Sequence, residues 1–136
     1  MAIYPATEKG STVSALKQSE IFKSLLDEYD TELTWVNEVS DLDTISTSSK
    51  VGILASIENA SGLCEEDQRL DEGFENLEKI IENTDRILYI GLTHHMENRF
   101  GGGNYSEAGL KDAGKELREY ISGRKTAIDL THHSDA

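Results

Sequence analysis

Cysteine is almost missing from this chain: Cys64 stands alone among 136 residues, so no internal disulfide can staple the fold. A lone cysteine leaves the redox compartment open, and it reads first as a small packed side chain. Positive charge is scarce too, with 13 Lys and Arg against 26 Asp and Glu and a net charge of −13. That balance argues against nucleic acid as a partner, because phosphate neutralisation needs clustered cations. An acidic, solvated surface is expected instead. No apolar run approaches the roughly 20 residues of a transmembrane segment, and no charged-then-apolar signal segment opens the chain. The compartment stays open: the cytoplasm is slightly favoured, and secretion or anchoring remains if the true amino terminus lies upstream. HExxH and zinc-finger spacings are absent, as are internal repeats and linker-like boundaries, so residues 1–136 read as one segment.

What is present is a rhythm. Three apolar runs each close on a polar residue: Val51-Gly-Ile-Leu-Ala-Ser-Ile57 on Glu58, Ile87-Leu-Tyr-Ile-Gly-Leu-Thr93 on His94, and Thr126-Ala-Ile-Asp-Leu-Thr131 on His132. The intervals are 36 and 38 residues, near the length of one strand-helix-strand unit. Continuous apolar runs suit strands of a parallel sheet covered by helices. Ala2-Ile-Tyr4 is a further strand, ended by Pro5. Val13, Leu16, Ile21, Phe22, Leu25, Leu26 and Tyr29 space as the inner stripe of a helix capped by Ser11 or Thr12. Leu33, Trp35 and Val36 read as a short extended piece, 40–44 as a helix entry, and 46–50 as a loop. Phe74, Leu77, Ile80 and Ile81 mark a helix over 72–83, and Leu110, Ala113, Leu117, Tyr120 and Ile121 another over 108–122, with Gly123 as its C-cap. The pattern βαβαβαβ predicts a parallel sheet.

In such sheets chemistry is built at the carboxyl ends of the strands, where Glu58, His94 and His132 fall. One carboxylate and two imidazoles there point to a metal site. Glu58 and His132 each have a structural alternative: Glu58 bonded to loop amides or an Arg, His132 capping a carbonyl. His94-His95 and His132-His133 double the signal, yet neighbours on a strand point to opposite faces, so one of each pair is expected at a shared site. His94 and His132 are chosen, leaving His95 and His133 as loop residues. Asp129 either accepts a bond from a nearby histidine or plays a structural part. Gly101-Gly-Gly103 lies too far from its strand for a phosphate cradle and reads as a flexible turn.

Taken in order, Ala55-Ser-Ile-Glu-Asn59, Ile87-Leu-Tyr-Ile-Gly-Leu-Thr-His94, Asn98, Phe100-Gly-Gly-Gly103, Gly109-Leu110, Gly114-Lys-Glu-Leu117 and Ile128-Asp-Leu-Thr-His132-His-Ser134 resemble the membrane (renal) dipeptidase family of the amidohydrolase superfamily. The resemblance covers about 51–136 and is weaker through 1–50. It implies a (βα)8 TIM barrel, an α/β fold of about 250 residues, of which this chain would supply about the first half, truncated at both ends. It implies two zinc ions and hydrolysis of dipeptides by a hydroxide shared between them. By position, Glu58 looks like the carboxylate bridging both metals, His132 like a ligand of the second, and His94 like the histidine that contacts substrate. The family's amino-terminal His-x-Asp, a later histidine, a downstream arginine and the acidic proton shuttle have no counterpart here, and Gly123-Arg-Lys125 replaces a more apolar strand entry. Weak zinc binding and no peptidase activity are therefore expected of the chain alone. Strand edges left open would favour self-association, a homo-oligomer included. Two other readings are a non-catalytic binding module derived from the barrel, and an amidohydrolase acting on a different amide.

Overall fold

The computed structural model describes residues 1–136. Strand β1 (Ala2–Ile3) leads into helix α1 (Ser11–Glu28), then β2 (Leu33–Trp35), α2 (Val39–Ser46), β3 (Val51–Ile53) and β4 (Ala55–Ile57). A single 3-10 turn (Ala60–Gly62) precedes α3 (Leu70–Thr84), β5 (Ile87–Gly91), α4 (Asp112–Tyr120) and β6 (Ala127–Asp129). The main sheet has the order β1-β4-β5-β6, and β2 with β3 forms a two-stranded side sheet; every pairing is parallel.

A row of isoleucines runs through the core. Ile3 pairs with Ile57, Ile57 with Ile90 and Ile90 with Ile128, a row across all four strands of the main sheet. Ile3, Ile57 and Ile90 are fully buried, each worth about 1.5–3 kcal/mol of burial. Helix α3 lays Gly73, Leu77, Ile80 and Thr84 inward at three- and four-residue spacing. Helix α4 adds Leu117, with Ile121 buried just beyond its end.

Four expectations need correction. The run 51–57 is two strands: Val51–Ile53 pairs with β2, while Ala55–Ile57 joins the main sheet. The change of partner falls at Leu54, whose carbonyl accepts from the Met1 amine at 2.9 Å. Val13, Ile21 and Tyr29 of the first helix face outward, and its buried side carries Ser11, Thr12, Ala15 and Ser19 with Phe22 and Leu26. Polar burial is tolerated there because Ser11 donates to Ser61 O at 2.7 Å and Ser19 accepts from Asn83 at 3.0 Å. Neither Ser11 nor Thr12 caps that helix. Gly10 is the N-cap, in the left-handed region at φ 92°, and Glu65 accepts from the Gly10 and Thr12 amides. Likewise Gly123, at φ 80°, lies in a turn beyond Ile121, the residue that ends α4. No helix is long and apolar enough to cross a membrane.

Candidate metal centre

Strand order sets the site. Glu58 follows β4, His94 lies three residues past the end of β5, and His132 three past β6, on adjacent strands of one sheet. Glu58 Oε1 is 3.4 Å from His132 Nε2, and Glu58 Oε2 accepts from the Tyr89 hydroxyl at 3.3 Å. Neither an arginine nor loop amides hold this carboxylate. The His94 and His132 rings lie 4.3 Å apart. All three residues chosen from the sequence are thus brought together.

His95 joins them, against expectation. The potential ligand atoms of His94, His95 and His132 all lie within 4.8 Å of one another. Strand β5 ends at Gly91, so residues 92–95 follow a bend rather than a pleat and need not alternate. His133 does point away: its Nδ1 faces Ser134 O at 3.0 Å. Asp129 accepts from Thr131 N at 3.0 Å, a local turn bond, and holds no histidine.

The segment 101–105 clamps the two neighbouring histidines. Asn104 N donates to His94 O at 3.3 Å and Tyr105 N to His95 O at 3.0 Å. A Cβ at Gly103 would lie 2.2 Å from His94 O, and one at Gly102 1.9 Å from Ala108 O. The glycine run is therefore a buried close crossing rather than a flexible turn, and its lack of Cβ is what brings the backbones together. Turned so that its nitrogen faces inward, the Asn104 carboxamide would donate to His132 O at 2.8 Å and His94 O at 3.2 Å, tying two strand ends. Tyr105 stacks on the His95 ring with centroids 5.0 Å apart. Beneath the loop, buried Asn98 donates to Leu92 O at 2.8 Å and Asn59 Oδ1 at 3.1 Å and accepts from Phe100 N at 2.8 Å.

Tyr4 and Tyr89 complete the surround. Tyr4 Oη lies 3.2 Å from His94 Nδ1. Its position after β1 matches that of Glu58 after β4, a signal the sequence carried but apolar-run counting passed over. Burial, then the neighbouring His95 and His132 imidazoles, hold the His94 pKa below the ordinary imidazole value, with the Glu58 carboxylate opposing. A neutral His94 keeps a lone pair for a cation or for a hydrogen bond. The donor set of three imidazoles and a carboxylate suits zinc and its late first-row neighbours. His95 Nδ1 is buried without a hydrogen-bond partner, an atom a cation or an incoming group would satisfy. Cys64, by contrast, is a packed residue: burial pushes its thiol up, and Arg99 Nη1 donates to its sulfur at 2.8 Å.

The arrangement of strands and covering helices has solved counterparts. An amidohydrolase from Pseudomonas aeruginosa superposes with a TM-score of 0.77 at 17% identity, covering 98% of this chain and 38% of its own. The probable dipeptidase PvdM from Pseudomonas aeruginosa gives 0.75 at 17% identity, covering 98% of this chain and 36% of its own. The chain has the fold of a partial (βα)8 barrel. It spans a little over a third of the length of these two structures. No family model matches the sequence, and no curated protein sequence matches it. At this identity the likeness is one of fold.

Proposed function

We propose that this chain carries part of the active site of a metal-dependent hydrolase that cleaves the peptide bond of dipeptides. The observation that carries the reading is the meeting of Glu58, His94 and His132 at the carboxyl ends of neighbouring parallel strands, with Glu58 3.4 Å from His132. Glu58 and His132 are the metal ligands in this reading. A bound zinc would supply Lewis acidity, polarising the scissile carbonyl and lowering the pKa of water. Tyr89 donates to Glu58 and so fixes one carboxylate oxygen, leaving the other toward His132. His94, whose Nδ1 would accept from the Tyr4 hydroxyl, would present its other ring nitrogen to the substrate and donate a hydrogen bond to the charge that develops on the carbonyl oxygen.

The likeness in fold to an amidohydrolase and to a probable dipeptidase supports a hydrolase at the level of class. The dipeptide is the finer step, resting on the ordered motifs around His94 and His132. A panel of L,L and L,D dipeptides, with non-peptide amides alongside, tests it on zinc-loaded protein carrying the whole barrel. Dipeptide turnover lost in Glu58→Gln and His132→Ala is the expected result. Turnover only of other amides would move the reading to a different amidohydrolase, and turnover indifferent to both substitutions would reject it. The 136-residue chain by itself is expected to be inactive, because it provides four strands of an eight-stranded site.

A further inference from the structure

We propose that His95 is a metal ligand, and that in the substrate-free protein His94, His95 and His132 hold one late first-row divalent cation through three imidazole nitrogens. The inference rests on reading the strand ends as a metal centre but not on any substrate. It revises the weak binding expected from Glu58 and His132 alone.

The geometry is that of a site needing a small contraction. Their ligand atoms lie within 4.8 Å of one another, whereas three nitrogens at tetrahedral zinc distances stand about 3.4 Å apart. Ring centroids are separated by 3.9 Å for His94–His95, 4.3 Å for His94–His132 and 5.5 Å for His95–His132. Outer partners are already in place. Tyr4 Oη lies 3.2 Å from His94 Nδ1 and Tyr105 stacks against His95, so both rings are held from outside. The backbone carbonyls of His94 and His95 are pinned by residues 104 and 105, so the two adjacent imidazoles are oriented by the loop and not by a strand. His95 Nδ1 is buried and without a partner. Glu58, 3.4 Å from His132, supplies a nearby carboxylate as a fourth group. Three nitrogen donors select zinc, cobalt, nickel or copper over magnesium and calcium. In this reading His94 would be a ligand only in the absence of substrate, and would take the substrate-contacting role proposed above once substrate is bound.

The test is a cobalt(II) titration of the 136-residue chain in excess magnesium, read by visible ligand-field absorption and calorimetry. The wild-type chain is expected to bind one cobalt per chain with four-coordinate bands. His95→Gln should weaken binding by more than the roughly 10–100-fold that loss of an outer partner costs, and His133→Gln should leave it unchanged. Circular dichroism checks that each variant is folded. On wild-type protein, zinc should shift the 15N resonances of His95, a readout that needs no variant. If His95→Gln binds as wild type while His132→Gln does not, His95 is no ligand and the metal-centre reading survives. If wild-type protein binds no cobalt, or binds it equally well without His132, both fall.

Discussion

Replacing Gly91 by alanine tests how the sheet positions the carboxylate. A Cβ at Gly91 would sit 2.4 Å from Glu58 O and 3.1 Å from the Glu58 carbonyl carbon. Ordinary carbon–oxygen contact begins at about 3.3 Å, so the two backbones must part by about 0.9 Å. Neither can move freely. Strand β5 is central, flanked by β4 and by β6, with Gly91 in register with Asp129. Overpacking of this kind costs about 1–3 kcal/mol. At a cost of about 2 kcal/mol and a urea slope of about 2 kcal/mol per molar, the unfolding midpoint falls by about 1 M. Metal affinity should fall with it, since a displacement of about 0.9 Å at Glu58 far exceeds the roughly 0.2 Å tolerance of a ligand bond. The assay is a urea titration at micromolar protein followed by circular dichroism, paired with the cobalt titration. An alanine variant with the wild-type midpoint and the wild-type cobalt affinity would refute the claim that Gly91 seats Glu58.

Three further outcomes are expected. Asn98→Ala strips partners from Leu92 O, Asn59 and the Phe100 amide. The loss should be about 2–3 kcal/mol by urea titration, and an unchanged midpoint would show the loop to be held otherwise. Glu78 accepts from the Tyr120 hydroxyl at 2.6 Å and pairs with Arg124, and these hold its carboxyl below the usual value. A depressed carboxyl stabilises above its unfolded pKa and loses that contribution as pH falls through the folded one. Glu78→Gln should thus cost stability at pH 7 and little near pH 3; because the pair is about two-fifths exposed, the cost at pH 7 should stay under about 1 kcal/mol. An equal cost at both pH values would contradict the assignment. Val51, Leu88 and Leu130 are exposed aliphatics on or beside strands, and the chain is expected to elute above monomer mass on gel filtration; a monodisperse monomer would show that these faces need no cover.

How much of this was legible in the sequence depended on whether the cause was local. Helix α3 and strand β5 were readable because Leu77, Ile80 and the run 87–93 carry their period on their surface. The break at Leu54 was not, since an apolar run gives no mark where it changes partners. The inner face of α1 was misread for a similar reason: Ser11 and Ser19 are buried because Ser61 and Asn83 satisfy them, and those lie 50 and 64 residues away. Counting strand ends is enough to place Glu58, His94 and His132 next to one another. His95 lies beside them because the strand ends at Gly91, beyond which side chains no longer alternate. The tight crossing at Gly102 and Gly103 depends on what passes over it, which composition does not reveal.

Anomalous diffraction at the zinc edge from crystals of the zinc-soaked protein shows whether the strand ends bearing Glu58, His94 and His132 hold a metal. A peak is expected about 2.0–2.1 Å from an imidazole nitrogen of His132, with Glu58 and the His94-His95 pair around it. Zinc bound only to surface carboxylates, with no peak among these side chains, would contradict the metal-centre reading.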